Sequence, residues 1–71
     1  MPILVKVARL GNETKEIALE EGAKVSDALT AAGEEVFDGE ELRLDGRVAS
    51  EDDTVYDGDV IVIAPKSKQG V

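Results

Sequence analysis

The feature that most constrains this chain is the run Val60-Ile61-Val62-Ile63-Ala64, which is apolar on both parities and is led in by Asp57-Gly58-Asp59. Its β-branched residues favour extended backbone, and a strand that is apolar on both sides belongs inside a sheet, with a neighbour along each edge. The rest of the chain must therefore supply those neighbours and a cover for at least one face. Val55 begins the approach to this strand, Asp57-Gly58 reads as a turn, and Pro65 reads as the stop. This leaves 1–64 as the folded domain and 65–71 as a flexible tail.

Length limits how large that cover can be. Seventy-one residues make one domain, near the size at which a chain buries only about 60% of its unfolded surface. Hydrophobic residues at 42% against 34% charged place it among globular rather than disordered chains. With Phe37 and Tyr56 as its only aromatics, the core must be aliphatic.

Upstream, Ile3, Val5 and Val7 alternate with Leu4, Lys6 and Ala8, which predicts a strand over 2–10. Gly11-Asn12-Glu13 is a turn signal, and Thr14–Glu20 alternates again, giving an N-terminal antiparallel hairpin. Gly22 then allows a tight exit. From Val25 the period changes: Val25, Ala28, Leu29 and Ala32 recur at helical spacing, with Lys24 or Ser26 as N-cap, Asp27 at the positive end of the dipole and Gly33 as the stop. Two to three turns are marginal alone, so this helix must pack on the sheet. In the acidic connection Glu34–Glu41, Val36 and Phe37 are the large apolar residues and are expected to close one end of the core. Leu42-Arg43-Leu44 and Arg47-Val48 form a short hairpin about Asp45-Gly46. The elements together predict an α+β roll, a mixed sheet covered on one face by a single helix.

The chain contains neither cysteine nor histidine. Disulfides, thiolate metal sites, a nucleophilic Cys and the commonest general base are thereby excluded. Carboxylates are plentiful, but Glu51-Asp52-Asp53 and the pair Asp57 and Asp59 fall in turns, where Asp hydrogen-bonds its own backbone, and they miss the calcium-loop spacing. No catalytic, metal or cofactor site is assigned, and the expectation is a protein that is not an enzyme. No apolar run approaches the roughly 20 residues a bilayer requires, and no leader pattern is seen, so a cytoplasmic location is expected.

Net charge is −8 and is unevenly spread. Residues 34–63 hold eleven acids against two bases, residues 1–33 five against four, and the tail only Lys66 and Lys68. Such a field repels phosphate backbones and anionic lipid, so nucleic acid and membrane are poor partners and a basic protein surface is a better one. The plainer reading is that acidic loops keep a small domain soluble.

Four stretches and their order together resemble a known family. The opening Met1-Pro2-Ile3-Leu4-Val5-Lys6, the segment Glu21-Gly22-Ala23-Lys24-Val25-Ser26-Asp27-Ala28-Leu29 and the order of elements are similar to the ubiquitin-like β-grasp proteins. The nearer likeness is to the sulfur-carrier branch, the small subunit of molybdopterin synthase and the thiamine sulfur-carrier protein. Leu44-Asp45-Gly46-Arg47-Val48 resembles that branch's Val-Asn-Gly hairpin, and Asp57-Gly58-Asp59-Val60-Ile61 its Asp-Gly-Asp turn. The resemblance spans nearly the whole chain and implies a β-grasp roll of four to five strands on one helix. It places Ile61 and Ile63 against the helix with Ile3, Val5, Ile17, Leu19 and Leu42. The opposite face carries Leu4, Lys6, Arg43 and Val62, where ubiquitin meets its partners through an apolar patch.

The family also works through a C-terminal Gly-Gly, whose carboxylate is adenylated by a partner and then converted to a thiocarboxylate or joined to a lysine. Here Gly70 is followed by Val71, a branched residue at the position of the final glycine. The first expectation is therefore a non-enzymatic binding module or small subunit that docks on a larger protein through its acidic edge or through its outer sheet face, Leu4, Lys6, Arg43 and Val62. The alternative is a sulfur carrier or protein modifier acting through the tail at Gly70 and Val71, either with Gly70-Val71 as it stands or after Val71 is removed to leave Gly70 terminal. The implied partner is a protein, an adenylating enzyme or a larger synthase subunit.

Overall fold

A computed structural model describes residues 1–66. The elements run β1 (Pro2–Arg9), β2 (Lys15–Glu20), α1 (Val25–Ala32), β3 (Glu40–Leu44), β4 (Arg47–Ala49) and β5 (Val60–Pro65). The five strands form one sheet in the order β2-β1-β5-β3-β4. The β1–β5 pair is parallel and the others antiparallel, which makes the sheet mixed. With β5 in the middle, both its edges are occupied, as its apolar character on both parities requires.

One face of the sheet carries α1. Ile3, Val5 and Val7 of β1, Leu42 of β3 and Ile61 and Ile63 of β5 are buried against Val25, Ala28, Leu29 and Ala32 of the helix, and Val55 completes the cluster. Ile17, Leu19, Val36 and Leu44 pack around it, half-buried. No charged or polar side chain is buried among the described residues, so the core is purely aliphatic.

The termini of α1 follow from local chemistry. Lys24 occupies the N-cap position, and its N–H donates to the Asp27 carboxylate at 3.0 Å. Lysine has no side-chain acceptor to return that bond, so Asp27 supplies the side-chain part of the cap. At the other end Gly33 takes φ 73, and the N–H groups of Gly33 and Glu34 reach Thr30 and Leu29 oxygens at 3.1 and 2.9 Å. These crossed bonds need a left-handed residue, which glycine supplies without a Cβ penalty.

Two expectations require correction. β5 does not stop at Ala64: Pro65 pairs with Glu40, and the Lys66 N–H donates to the Gly39 oxygen at 2.8 Å. Successive residues of β5 alternate between its two neighbours. The Ile63 oxygen accepts from Leu10, so the missing N–H of Pro65 faces the β1 side, where β1 has already ended. Phe37 does not close the core either. It stands 58% exposed, while its neighbour Val36 turns in and packs on the cluster.

Candidate functional site

Strand parity fixes what the face away from α1 displays. In β1 and β5 the inward residues are buried and the alternate ones open to solvent, which puts Leu4, Lys6, Ala8, Val60 and Val62 outside. The register then decides who meets whom. Val62 lies between Ala8 and Arg43, Arg43 is opposite Val48, and Lys6 is opposite Val60 on one side and Glu16 on the other. Leu4 is two residues further along β1, opposite Ala18, and its N–H bonds the Asp57 carboxylate at 2.8 Å.

Of the four outer-face candidates, Arg43 and Val62 are thus direct neighbours, and Lys6 sits one row away. Leu4 stands apart near the 57–59 turn. Arg43 is further engaged by Glu41 on its own strand, at 2.7 Å. Val48, 68% exposed, and Val60 belong to this face as well and went unnoticed in the sequence. Their parity relative to Arg43 and Val62 was the available signal. The two tail candidates, Gly70 and Val71, lie outside the described residues.

The root of the tail is described, and side-chain bonds cross-link the surface beside it. Arg9, at the end of β1, donates to the Glu34 carboxylate at 3.0 Å, to the Glu35 backbone oxygen and to the Glu40 carboxylate. Its guanidinium also lies over the Phe37 ring, 5.5 Å from the centroid, within cation–π range. Lys15 adds a bond from its ammonium to the Ala32 oxygen at 2.9 Å and reaches Glu34 at 3.5 Å. The Arg9 hydrogen bond, reinforced by its charge and that of Lys15, holds the Glu34 carboxyl below its ordinary range despite some desolvation. The same bond raises Arg9.

The acids of the second half are mostly engaged by backbone. Three of them, Glu40, Asp53 and Asp59, accept the N–H of the residue three positions earlier, Phe37, Ser50 and Tyr56, at 2.8–3.0 Å. Asp45 accepts from the Val60 N–H at 2.9 Å. Its own φ of 53, with Gly46 at φ 88, makes the two-residue hairpin that the Asp-Gly pair predicts. Asp45 and Asp59 line an open cleft of about 530 Å³ beside β4, with Tyr56 and Arg47 at its rim. Burial, together with the neighbouring Asp45, raises the Asp59 carboxyl, though the Tyr56 N–H opposes the shift. Among the described residues no group of three potential ligands is placed to hold a metal ion.

No protein-family model matches this chain. Among solved structures, small archaeal modifier protein 1 (SAMP1) of Haloferax volcanii superposes with a TM-score of 0.75 at 18% identity, covering 94% of this chain and 99% of that one. A second structure of that modifier gives 0.75 at 17%, covering 92% and 99%. A ubiquitin from Caldiarchaeum subterraneum gives 0.67 at 22%, covering 99% and 100%. At such identities the likeness is one of fold, and that fold is the ubiquitin-like β-grasp.

Proposed function

We propose that this ubiquitin-like β-grasp protein is a modifier or sulfur carrier that acts through its C-terminal tail. The observation that carries the reading is the end-to-end match to a small archaeal modifier and a ubiquitin, with neither chain leaving a substantial part unmatched. In this reading a tail carboxylate oxygen attacks the α-phosphorus of ATP in a partner enzyme, and pyrophosphate leaves. A sulfur nucleophile or a lysine amine then displaces AMP from the acyl-adenylate. Valine at position 71 crowds the reacting carbon, so removal of Val71 to expose the Gly70 carboxylate is part of the proposal. Glycine there lets the backbone approach the phosphate closely.

The test is mass spectrometry. Intact protein and protein ending at Gly70 are incubated with the source organism's adenylating enzyme, ATP and a sulfur donor. The form ending at Gly70 should gain the mass difference between sulfur and oxygen; if neither form does, and neither is joined to a lysine, the reading fails.

A second reading keeps the protein as a binding module that docks on a larger subunit through its outer sheet face. Val48 and Leu4, 68% and 48% exposed, favour it together with Val62. The modifier reading stands ahead of it because two structural matches are themselves a modifier and a ubiquitin.

A further inference from the structure

Phe37 is one of two aromatic residues in the chain, yet it lies 58% exposed rather than in the core. It is also held in place. Its N–H donates to Glu40 at 2.9 Å, its oxygen accepts from the Glu40 N–H at 3.0 Å, and the Arg9 guanidinium backs its ring. Arg9 in turn fixes the chain on both sides of Phe37, through the Glu35 oxygen and the Glu40 carboxylate. An exposed aromatic on a rigid loop loses little freedom on binding, which is the property of an interface anchor.

Its surroundings carry one sign of charge. Residues 34–41 contain five acids and no base. Arg9 answers Glu34 and Glu40, whereas the Glu35 and Asp38 side chains are exposed and bond no described residue. Two free carboxylates thus flank the ring.

The position of this loop matters most. Gly39 accepts the Lys66 N–H and Glu40 pairs with Pro65, so the loop lies where the chain leaves the sheet toward Gly70. The four Cα-to-Cα steps from Lys66 to Gly70 reach at most about 14 Å when fully extended. An enzyme that holds the Gly70 carboxylate in its nucleotide site therefore comes into contact with the body of this protein at the tail root.

We infer that Phe37, with Glu35 and Asp38 beside it, is the docking surface for the enzyme that activates the tail, a partner that presents an apolar pocket rimmed by lysine and arginine. This inference rests on the C-terminal reading proposed above. Phe37 supplies the buried anchor, and the two carboxylates steer the encounter and set its register.

ATP–pyrophosphate exchange with the purified adenylating enzyme of the source organism tests it, with the protein ending at Gly70 as substrate. Phe37→Ala, and separately Glu35→Lys with Asp38→Lys, should each raise KM by about tenfold or more while kcat stays within about twofold, the signature of lost ground-state binding. Added salt should raise the wild-type KM by screening attraction and lower that of the charge-reversed protein, whose two lysines then face the partner's basic rim. Tyr56→Ala, which removes the other exposed aromatic at the far end of β5, should leave KM unchanged, and melting curves confirm that each variant folds. Exchange by the wild type with KM unmoved in both Phe37→Ala and the charge reversal overturns the inference alone. No exchange by the wild type, ending at either Gly70 or Val71, overturns the C-terminal reading and this inference with it.

Discussion

At its C-terminal end β5 runs beside Arg9, Glu34 and Glu40; at its N-terminal end it runs beside Asp45 and Asp59. Both ends concentrate carboxylates, and both use them to fix backbone. At the first end a single arginine gathers two carboxylates and a backbone oxygen, lowering the Glu34 carboxyl. At the second, two carboxylates face each other without a comparable cation, and the Asp59 carboxyl rises. The same functional group, a carboxylate, thus adds acid sensitivity at one end and acid tolerance at the other. The difference lies in which cation the topology brings within reach.

The two ends are joined by the strand between them, and cutting that strand's anchorage should have the largest effect. Ile61 and Ile63 are completely buried, and Ile63→Ala should cost about 2–5 kcal/mol, the range for truncating a core aliphatic. Chemical denaturation read at both ends, by Tyr56 fluorescence and by amide exchange at Phe37, should show one common transition. Separate midpoints would mean that the ends unfold independently and that comparing them as parts of one cooperative unit is wrong.

Arg9→Gln comes next. It removes the guanidinium that serves Glu34, Glu40 and Phe37 together, leaving Glu40 without its cation and Glu34 with Lys15 alone. Melting temperature at neutral pH should fall by more than for Gly46→Ala or Asp59→Asn. Because the folded Glu34 carboxyl is depressed, its contribution is present above the unfolded value and is lost as pH falls through the folded one. The wild type should therefore lose stability below the ordinary carboxylate range, and Arg9→Gln should show a flatter acid limb. An equally steep limb in the variant would move the acid sensitivity away from this cluster.

Much of this architecture was legible in the sequence, for local reasons. The four helix positions Val25, Ala28, Leu29 and Ala32 are all buried, because their spacing is a property of eight consecutive residues. The place of β5 in the sheet followed from apolar residues on both parities, and the Asp45-Gly46 hairpin from two residues. What escaped is non-local. Arg9 meets partners 25 and 31 residues away, and no periodicity announces such a pairing. Phe37, a lone apolar group in an acidic loop, had no repeat to say which way it pointed. On the outer face, parity separated inside from outside but not near from far: Leu4 and Val62 share a face without being neighbours, because β1 and β5 come into register only at Lys6 and Val60.

A smaller effect belongs to the hairpin that presents Asp45 to Val60. Gly46 has φ 88, and Gly46→Ala should cost about 1–2 kcal/mol, the penalty for a Cβ in the left-handed region. No neighbouring atom stands where that Cβ would go, so strain of the backbone is its whole cause. Equilibrium unfolding measures it. If Asp45 keeps its bond to Val60, amide exchange at Val60 should slow and quicken only with global stability.

The smallest effect, and the sharpest on the comparison, is that of Asp59→Asn. The folded Asp59 carboxyl is raised above its ordinary value by burial and by Asp45. A raised carboxyl binds its proton more tightly in the folded state, so its contribution is full below the unfolded value and is lost as pH rises through the folded one. At neutral pH Asp59 is thus a standing cost. Asparagine keeps an oxygen for the Tyr56 N–H and removes the charge beside Asp45. Stability at pH 7, read from thermal unfolding, should hold or rise, by an amount on the order of 0.5 kcal/mol or less. The gain should shrink as pH falls through the folded value and vanish well below about 4, the unfolded value, where the aspartate is protonated in both states. A gain that survives at that pH would have to come from packing, and the opposite use of carboxylates at the two ends of β5 would then lose its N-terminal half.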